Sequence, residues 1–399
     1  MESNLVEKPN KRNMVDSDKS GKYTEKENKV FATLSGIGII MVVSAHVNSV
    51  LNLFKDFFPY NSFFMPMFIF ISGYFFKDKN VESVKNTKKY ICKKFTNLLC
   101  YYFVCNIFFG LIELLLYKMQ LHNYRVKFNF KNIFISPFID GQQFWINAPA
   151  WFIPTLFMVE ITFLGIRKLQ LILKHKSEYI TLICMIILNM AMVYISKNVT
   201  YSKYLLPFVK LGFFLPFFQI GKIYKDVFEA KEKKIKSRYV IFLTLIINLV
   251  CIKLYKNINF ISLYNMGGFK KLPFYIPLVT SITGIWFWLR ISRIFAPVLM
   301  KSDIFRKISN NTKAIMMYHI FCMLIINVIL YCSKDILNLS GFDIEKFKSS
   351  PMWYRYWADT PQLAIFYVIF GIVGALLIRK LEIIIKNFFN LCKEGLNNN

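Results

Sequence analysis

The chain has 399 residues, of which 55% are hydrophobic, 18% aromatic and 19% charged, and it carries a net charge of +28 at pH 7. These fractions do not fit a soluble enzyme of this length; they fit a chain whose apolar surface is solvated by lipid. The basic excess is spread between apolar runs rather than gathered into one patch, which argues against nucleic acid as a partner.

The first 29 residues are polar and mixed in charge, with no apolar h-region or small-residue cleavage pattern, and read as a disordered cytoplasmic tail. Ten apolar runs follow, at 30–51, 57–76, 96–117, 149–166, 178–195, 204–221, 239–255, 273–289, 314–332 and 361–378. Each approaches the length needed to cross about 30 Å of hydrocarbon at about 1.5 Å per residue. The expected fold is therefore an all-α polytopic membrane domain over 30–380, with a second cytoplasmic tail at 381–399. Placing the N-terminus inside puts 35 of the 51 Lys and Arg on the cytoplasmic side and 15 outside, with Lys210 within the sixth span. That asymmetry predicts both termini in the cytoplasm and a multi-pass protein of the cell membrane. Anionic lipid is attracted as a by-product.

Eight cysteines lie in or beside spans without CxxC spacing, so they read as free thiols, with no disulfide framework and no metal site. No Gly-rich phosphate loop, HExxH or GxSxG occurs, and no tightly bound cofactor is expected.

An ionisable group inside a span costs about 2.5 to 3.5 kcal/mol at the bilayer centre, so each one calls for an explanation. The groups are His46, Glu113, Glu160, Lys210 and His319. His46 lies 16 residues beyond Val30, roughly 24 Å from the inner edge, whereas His319 lies six beyond Lys313, roughly 9 Å up. On that count the two imidazoles do not touch and serve two ends of one path. A hydrogen bond to a neighbouring helix explains either one equally well. Glu113 reads as water-facing near the outer end of its span, and Glu160 and Lys210 as a pair between helices. The second span, "FFMPMFIFISGYFF", brings Ser72, Gly73 and Tyr74 to the cytoplasmic edge, where they form either a polar site or a packing notch. Trp151 and Phe152 open the fourth span as belt aromatics do.

In order, "LSGIGIIMVVSAH", "FFMPMFIFISGYFF", "KKYICKKFTNLLCYY", "AWFIPTLFMVE", "LPFFQIGKIY" and "NNTKAIMMYHIF" resemble the acyltransferase 3 family, the integral-membrane O-acyltransferases of cell-envelope glycans. The matches cover residues 30–322, and the ten-span count agrees with the family's core. The resemblance implies transfer of an acyl group, usually acetyl, from cytoplasmic acyl-CoA as donor substrate to a sugar hydroxyl of a capsular, wall or lipid-linked polysaccharide. It makes His46 the catalytic base: a sugar hydroxyl is a poor nucleophile, and a neutral imidazole can take its proton as it attacks. Ser72, Tyr74, Lys94, Trp151 and His319 are the expected substrate-binding residues. A non-catalytic glycan transporter, a polysaccharide-assembly partner or a glycan polymerase also fits ten spans with buried polar groups.

Three positions depart from the family. Ser35 stands where a basic residue usually precedes the histidine by eleven, Asn97 replaces the second member of a basic pair begun by Lys94, and Phe64 stands where relatives often have histidine. The first two remove positive charge at the inner edge, where CoA phosphates are expected to dock. Lys29, Lys77, Lys79, Lys93 and Lys94 ring the same surface. On the outer side, Trp353, Tyr354, Tyr356 and Trp357 read either as an aromatic belt or as a sugar platform, with Arg355 and Asp359 beside them to bond hydroxyls.

Overall fold

The computed structural model describes residues 25–139, 141, 144–174, 177–199, 204–256, 258, 260, 269, 272–356 and 360–397; most of the expected N-terminal tail, together with Trp357 and Asp359, lies outside them. In chain order the helices are α1 (Glu25–Ala45), α2 (Phe64–Tyr74), α3 (Lys79–Glu82), α4 (Val84–Lys94), α5 (Tyr101–Lys118), α6 (Ser136–Ile139), α7 (Phe152–Ile172) and α8 (Glu178–Asn198). They continue with α9 (Leu206–Ile223), α10 (Glu229–Glu232), α11 (Ser237–Tyr255), α12 (Ile276–Leu299), α13 (Asp303–Asn310), α14 (Thr312–Ser333), α15 (Ile344–Ser349) and α16 (Pro361–Asn397). A π-helical turn over Phe95–Cys100 joins α4 to α5 without a break. No strand occurs among the described residues, and the protein is all-α.

Nine helical stretches among the described residues are long and apolar enough to cross a membrane, and the tenth apolar run is the shorter α2. The expected span 57–76 shrinks to eleven residues, about 16 Å of helix, because a 3₁₀ turn at Tyr60–Ser62 takes up its beginning. Nine of those eleven residues are buried, so α2 does not need to match the lipid thickness. It lies among α1, α9 and α12, with its backbone pressed against α9. A Cβ on Gly73 would collide with the Phe218 carbonyl, and one on Gly221 with the Phe70 carbonyl. Two glycines thus allow the two backbones to touch reciprocally. At the periphery, α8 and α11 turn Ile183, Ile187, Phe242 and Leu249 outward, a lipid-facing pattern.

Contacts fix the up-and-down order. Tyr74 at the end of α2 stacks on Phe31 near the start of α1, with ring centroids 3.7 Å apart, so the two helices are antiparallel. Arg167, late in α7, pairs with Glu178 at the first turn of α8 (2.8 Å) and with Asp78 after α2 (2.9 Å). Lys222 at the end of α9 also reaches Asp78, at 3.2 Å. Burial works against the Asp78 charge, but Lys222 and Arg167 outweigh it and hold the carboxyl below its ordinary range. This clamp gathers the ends of α2, α7 and α9 at the face where α1 begins. The seven cysteines whose side chains are described are free thiols.

Candidate active site

His46 is not inside α1. The helix ends at Ala45, six residues short of the expected boundary, and the chain turns through Asn48 (φ 51°) and Ser49 (φ 50°), both left-handed. The Ser49 amide donates back to the Ser44 carbonyl (2.9 Å), and Ser44 Oγ accepts from the Leu51 amide (3.0 Å). This closure satisfies the last helical carbonyls and turns the half-buried His46 into the interior.

The two imidazoles meet, contrary to the count along the spans. Their ring centroids are 5.2 Å apart, with planes tilted by 31°. The expectation failed because Lys313 does not mark the inner edge. Helix α13 packs on α1 at Gly36, where a Cβ would strike Ser309 Oγ and stand 2.9 Å from Phe305 Cζ. Gly36 is already eleven residues, about 16 Å, along α1. His46 and His319 each follow ten residues after that shared level. His319 is fully buried, and its Nδ1 lies 2.8 Å from the Ile315 carbonyl. A carbonyl only accepts, so Nδ1 carries the proton and Nε2, which has no partner, keeps its lone pair.

Beside the pair is a cavity of about 180 Å³, lined by His46, Phe64, Met65, Trp151 and Met316 among others. That is below the ~300–1,000 Å³ of pockets for drug-sized ligands, so it admits a small reacting end rather than a whole glycan. Trp151 is 4% exposed, a wall of this chamber rather than a belt residue, and Lys210 Nζ lies 5.2 Å from its ring centroid. Trp353 packs on His46 itself, its ring 5.3 Å from the imidazole. Its neighbours tie the loop instead: Tyr354 OH accepts from the Asp343 amide (2.9 Å), and Tyr356 OH donates to the Ser340 carbonyl.

A second cavity of about 770 Å³ opens at the opposite face. Lys77, Lys79, Lys89, Lys93 and Lys94 line it against a single carboxylate, Glu82, and Ser72 and Asn97 lie in its wall. Lys94 pairs with Glu160 at 2.7 Å. The expected Glu160–Lys210 pair therefore does not form: Lys210 sits at the level of Trp151, and Glu160 is nine residues, about 13 Å, further along α7. Glu113 does not face water; it is 1% exposed and accepts from the Ile146 amide at 2.7 Å. Around Asn97, Lys313 Nζ donates to its carbonyl at 2.6 Å. Tyr74 lines neither cavity; its hydroxyl donates to Glu229 at 3.0 and 3.1 Å, in a polar cluster with Arg293 and Tyr224. Ser72, Gly73 and Tyr74 thus face a cleft, a helix backbone and a carboxylate respectively.

Sequence reasoning missed Phe68. On α2, Phe64 and Met65 line the first cavity, Ile71 and Ser72 the second, and Phe68 stands between them on the same face, four residues from each of Phe64 and Ser72. It is one of two residues of α2 that are not fully buried, the other being Ser72. A Cβ on Gly38 would lie 2.5 Å from Met67 Cε and 3.0 Å from Phe68 Cζ, so the Phe68 ring shares with Met67 the notch that Gly38 leaves in α1, 6.2 Å from the Phe152 ring. The two cavities are about 9 Å apart along α2, divided by this ring. A glycine in the middle of "SGIGIIM" was the only signal for it.

Nine spanning-length helical stretches among the described residues, with the shorter α2 enclosed by them, carry a lysine-lined cleft at one face and an imidazole pair beside a chamber toward the other. A family model for the acyltransferase domain matches residues 34–380, and the chain belongs to the acyltransferase 3 family. It is a multi-pass membrane acyltransferase. No curated protein and no solved structure matches it.

Proposed function

We propose that the protein moves an acyl group, acetyl in the ordinary case, from cytoplasmic acyl-CoA to a sugar hydroxyl of a capsular, wall or lipid-linked polysaccharide at the bacterial plasma membrane, with both termini cytoplasmic. The observation that carries this reading is the placement of two unlike cavities on one face of α2. The lysine cleft suits the three phosphate groups of a CoA donor, and the chamber beside His46 suits a reacting hydroxyl. His46 takes the hydroxyl proton as the oxygen attacks the thioester carbonyl. The tetrahedral adduct then expels the CoA thiolate, which receives the proton back. Nε2 of His319 has no partner in the ring pair, so its lone pair is available to accept from the N–H of His46 when the acceptor is bound and thereby to orient the base. Lys313 places a cation beside Asn97, where the family pattern has a basic residue.

NMR of the glycan purified with and without the gene tests the reaction. Loss of O-acyl signals at constant polymer yield is expected; loss of the polymer itself would mean transport or polymerisation. Lys89 and Lys93 are exposed in the cleft. Removing both (Lys89→Ala with Lys93→Ala) should raise the donor KM about 5- to 10-fold and leave kcat within about twofold, because they bind phosphate without touching the reacting atoms. An unchanged donor KM in steady-state assays would remove the cleft from the mechanism. Phe68→Trp enlarges the dividing ring and should lower kcat about tenfold or more at an unchanged donor KM.

A further inference from the structure

Arg355 lies near the imidazole pair on the segment between α15 and α16, close enough for its charge to act on both rings. Its guanidinium carbon is 6.0 Å from the ring centroid of Trp353, whose ring packs on His46, and 5.3 Å from that of Tyr367. Nη1 donates to the Met352 carbonyl (2.7 Å) and the Tyr354 carbonyl (3.1 Å), which fixes one edge of the fork. The other edge meets no oxygen: Nη2 faces only the thioether of Met323 at 3.2 Å, and Nε is buried with no partner. Among the described residues no carboxylate forms an ion pair with Arg355, whereas Arg167, Arg290, Arg293, Arg306 and Arg379 each have one. Burial lowers its pKa only to about 10, so it stays charged at neutral pH.

A desolvated cation without a counter-charge is costly, and a thioether compensates little of that cost. The Nε–Nη2 edge is also the one that grips a carboxylate or phosphate with two parallel N–H···O bonds. Met323 is one helical turn beyond His319 on α14, so an anion held there lies next to the imidazole pair.

We infer that Arg355 forms an anion subsite beside the His46–His319 pair, next to the acceptor chamber, so that the hydroxyl presented to His46 belongs to an acidic glycan whose carboxylate or phosphate rests on the Nε–Nη2 edge. This rests on reading the His46 chamber as the acceptor's place. The requirement for a fixed fork excludes a neutral sugar as the best acceptor and makes Arg355 a determinant of specificity.

The test uses the full-length protein in lipid nanodiscs, with its thermal unfolding midpoint followed during titration with glucuronate, inorganic phosphate or glucose at matched ionic strength. Glucuronate should raise the wild-type midpoint by about 2 °C at saturating concentration, and glucose should not. The lysine cleft gives an anion response of its own, so the informative quantity is the difference between wild type and Arg355→Gln, which should lose the chamber's share. Arg355→Lys keeps the charge without the fork and should lose at least half of it, which decides the matter if the glutamine variant fails to fold. An Arg355-dependent response to phosphate but not glucuronate assigns a phosphorylated acceptor. Equal responses of wild type and both variants to both anions overturn the subsite. His46→Ala should keep the full anion response while losing acyl transfer. Retained transfer in that variant would remove the reaction reading and leave the subsite standing.

Discussion

Replacing His46 with alanine is expected to reduce acyl transfer by about 10²- to 10⁴-fold while the protein accumulates at its normal level. The size follows from the chemistry: without a base at hydrogen-bond distance, the acceptor must attack as a neutral alcohol. The normal level follows from the packing. His46 lies past the end of α1, and the turn that carries it is closed by Ser44 and backbone groups rather than by the imidazole. The measurement is transfer of labelled acetyl from acetyl-CoA in purified membranes, normalised to protein by immunoblot. Transfer within twofold of wild type would falsify the assignment of the base. His319→Gln should cost less, since it removes an orienting lone pair and leaves the base in place.

Gly73→Val is expected to destabilise the fold by about 3 kcal/mol or more, with no direct effect on chemistry. Its new side chain would enter the Phe218 carbonyl, a backbone group that moves only if α2 and α9 part. Parting them also disturbs the reciprocal contact at Gly221 and the stacking of Tyr74 on Phe31. Unfolding followed in detergent should show a large fall in midpoint or loss of monodisperse protein. Ser72→Val, one residue earlier but facing the cleft, should unfold nearly as the wild type does. Equal stability of the two variants would show that the helix contact is not as tight as described.

Nine of the ten expected spans were legible because length and hydropathy are local properties, and the tenth run carries the shorter helix α2. Their roles were less so. Apolar composition reads the same in a helix bathed in lipid and in one enclosed by protein, so α2 looked like a full span until its neighbours were known. Counting residues from a charge gives depth only if that charge lies at the membrane edge. Lys313 follows α13, which packs eleven residues up α1, and the separation expected for His46 and His319 disappears. Pairings such as Lys94 with Glu160 join residues 66 apart in sequence, and nothing local announces them. Four lysines of the cleft, Lys77, Lys79, Lys93 and Lys94, could be read as a ring because charge at the ends of spans is a topological signal, whereas Lys29 of that ring does not line the cleft and Lys89 does. Phe68 could not, because one more phenylalanine in "FFMPMFIFIS" carries no mark of standing between two cavities.

Transfer in oriented proteoliposomes tests the central claim most directly: donor enters at the lysine cleft, and the hydroxyl reacts beside His46. Labelled acetyl-CoA is supplied on one side only, with the polysaccharide acceptor on the other. Label should reach the acceptor when acetyl-CoA meets the face where α1 begins, and transfer at limiting donor should fall when Lys89 and Lys93 are replaced. Transfer from acetyl-CoA offered solely at the opposite face, unaffected by those lysines, would contradict the account.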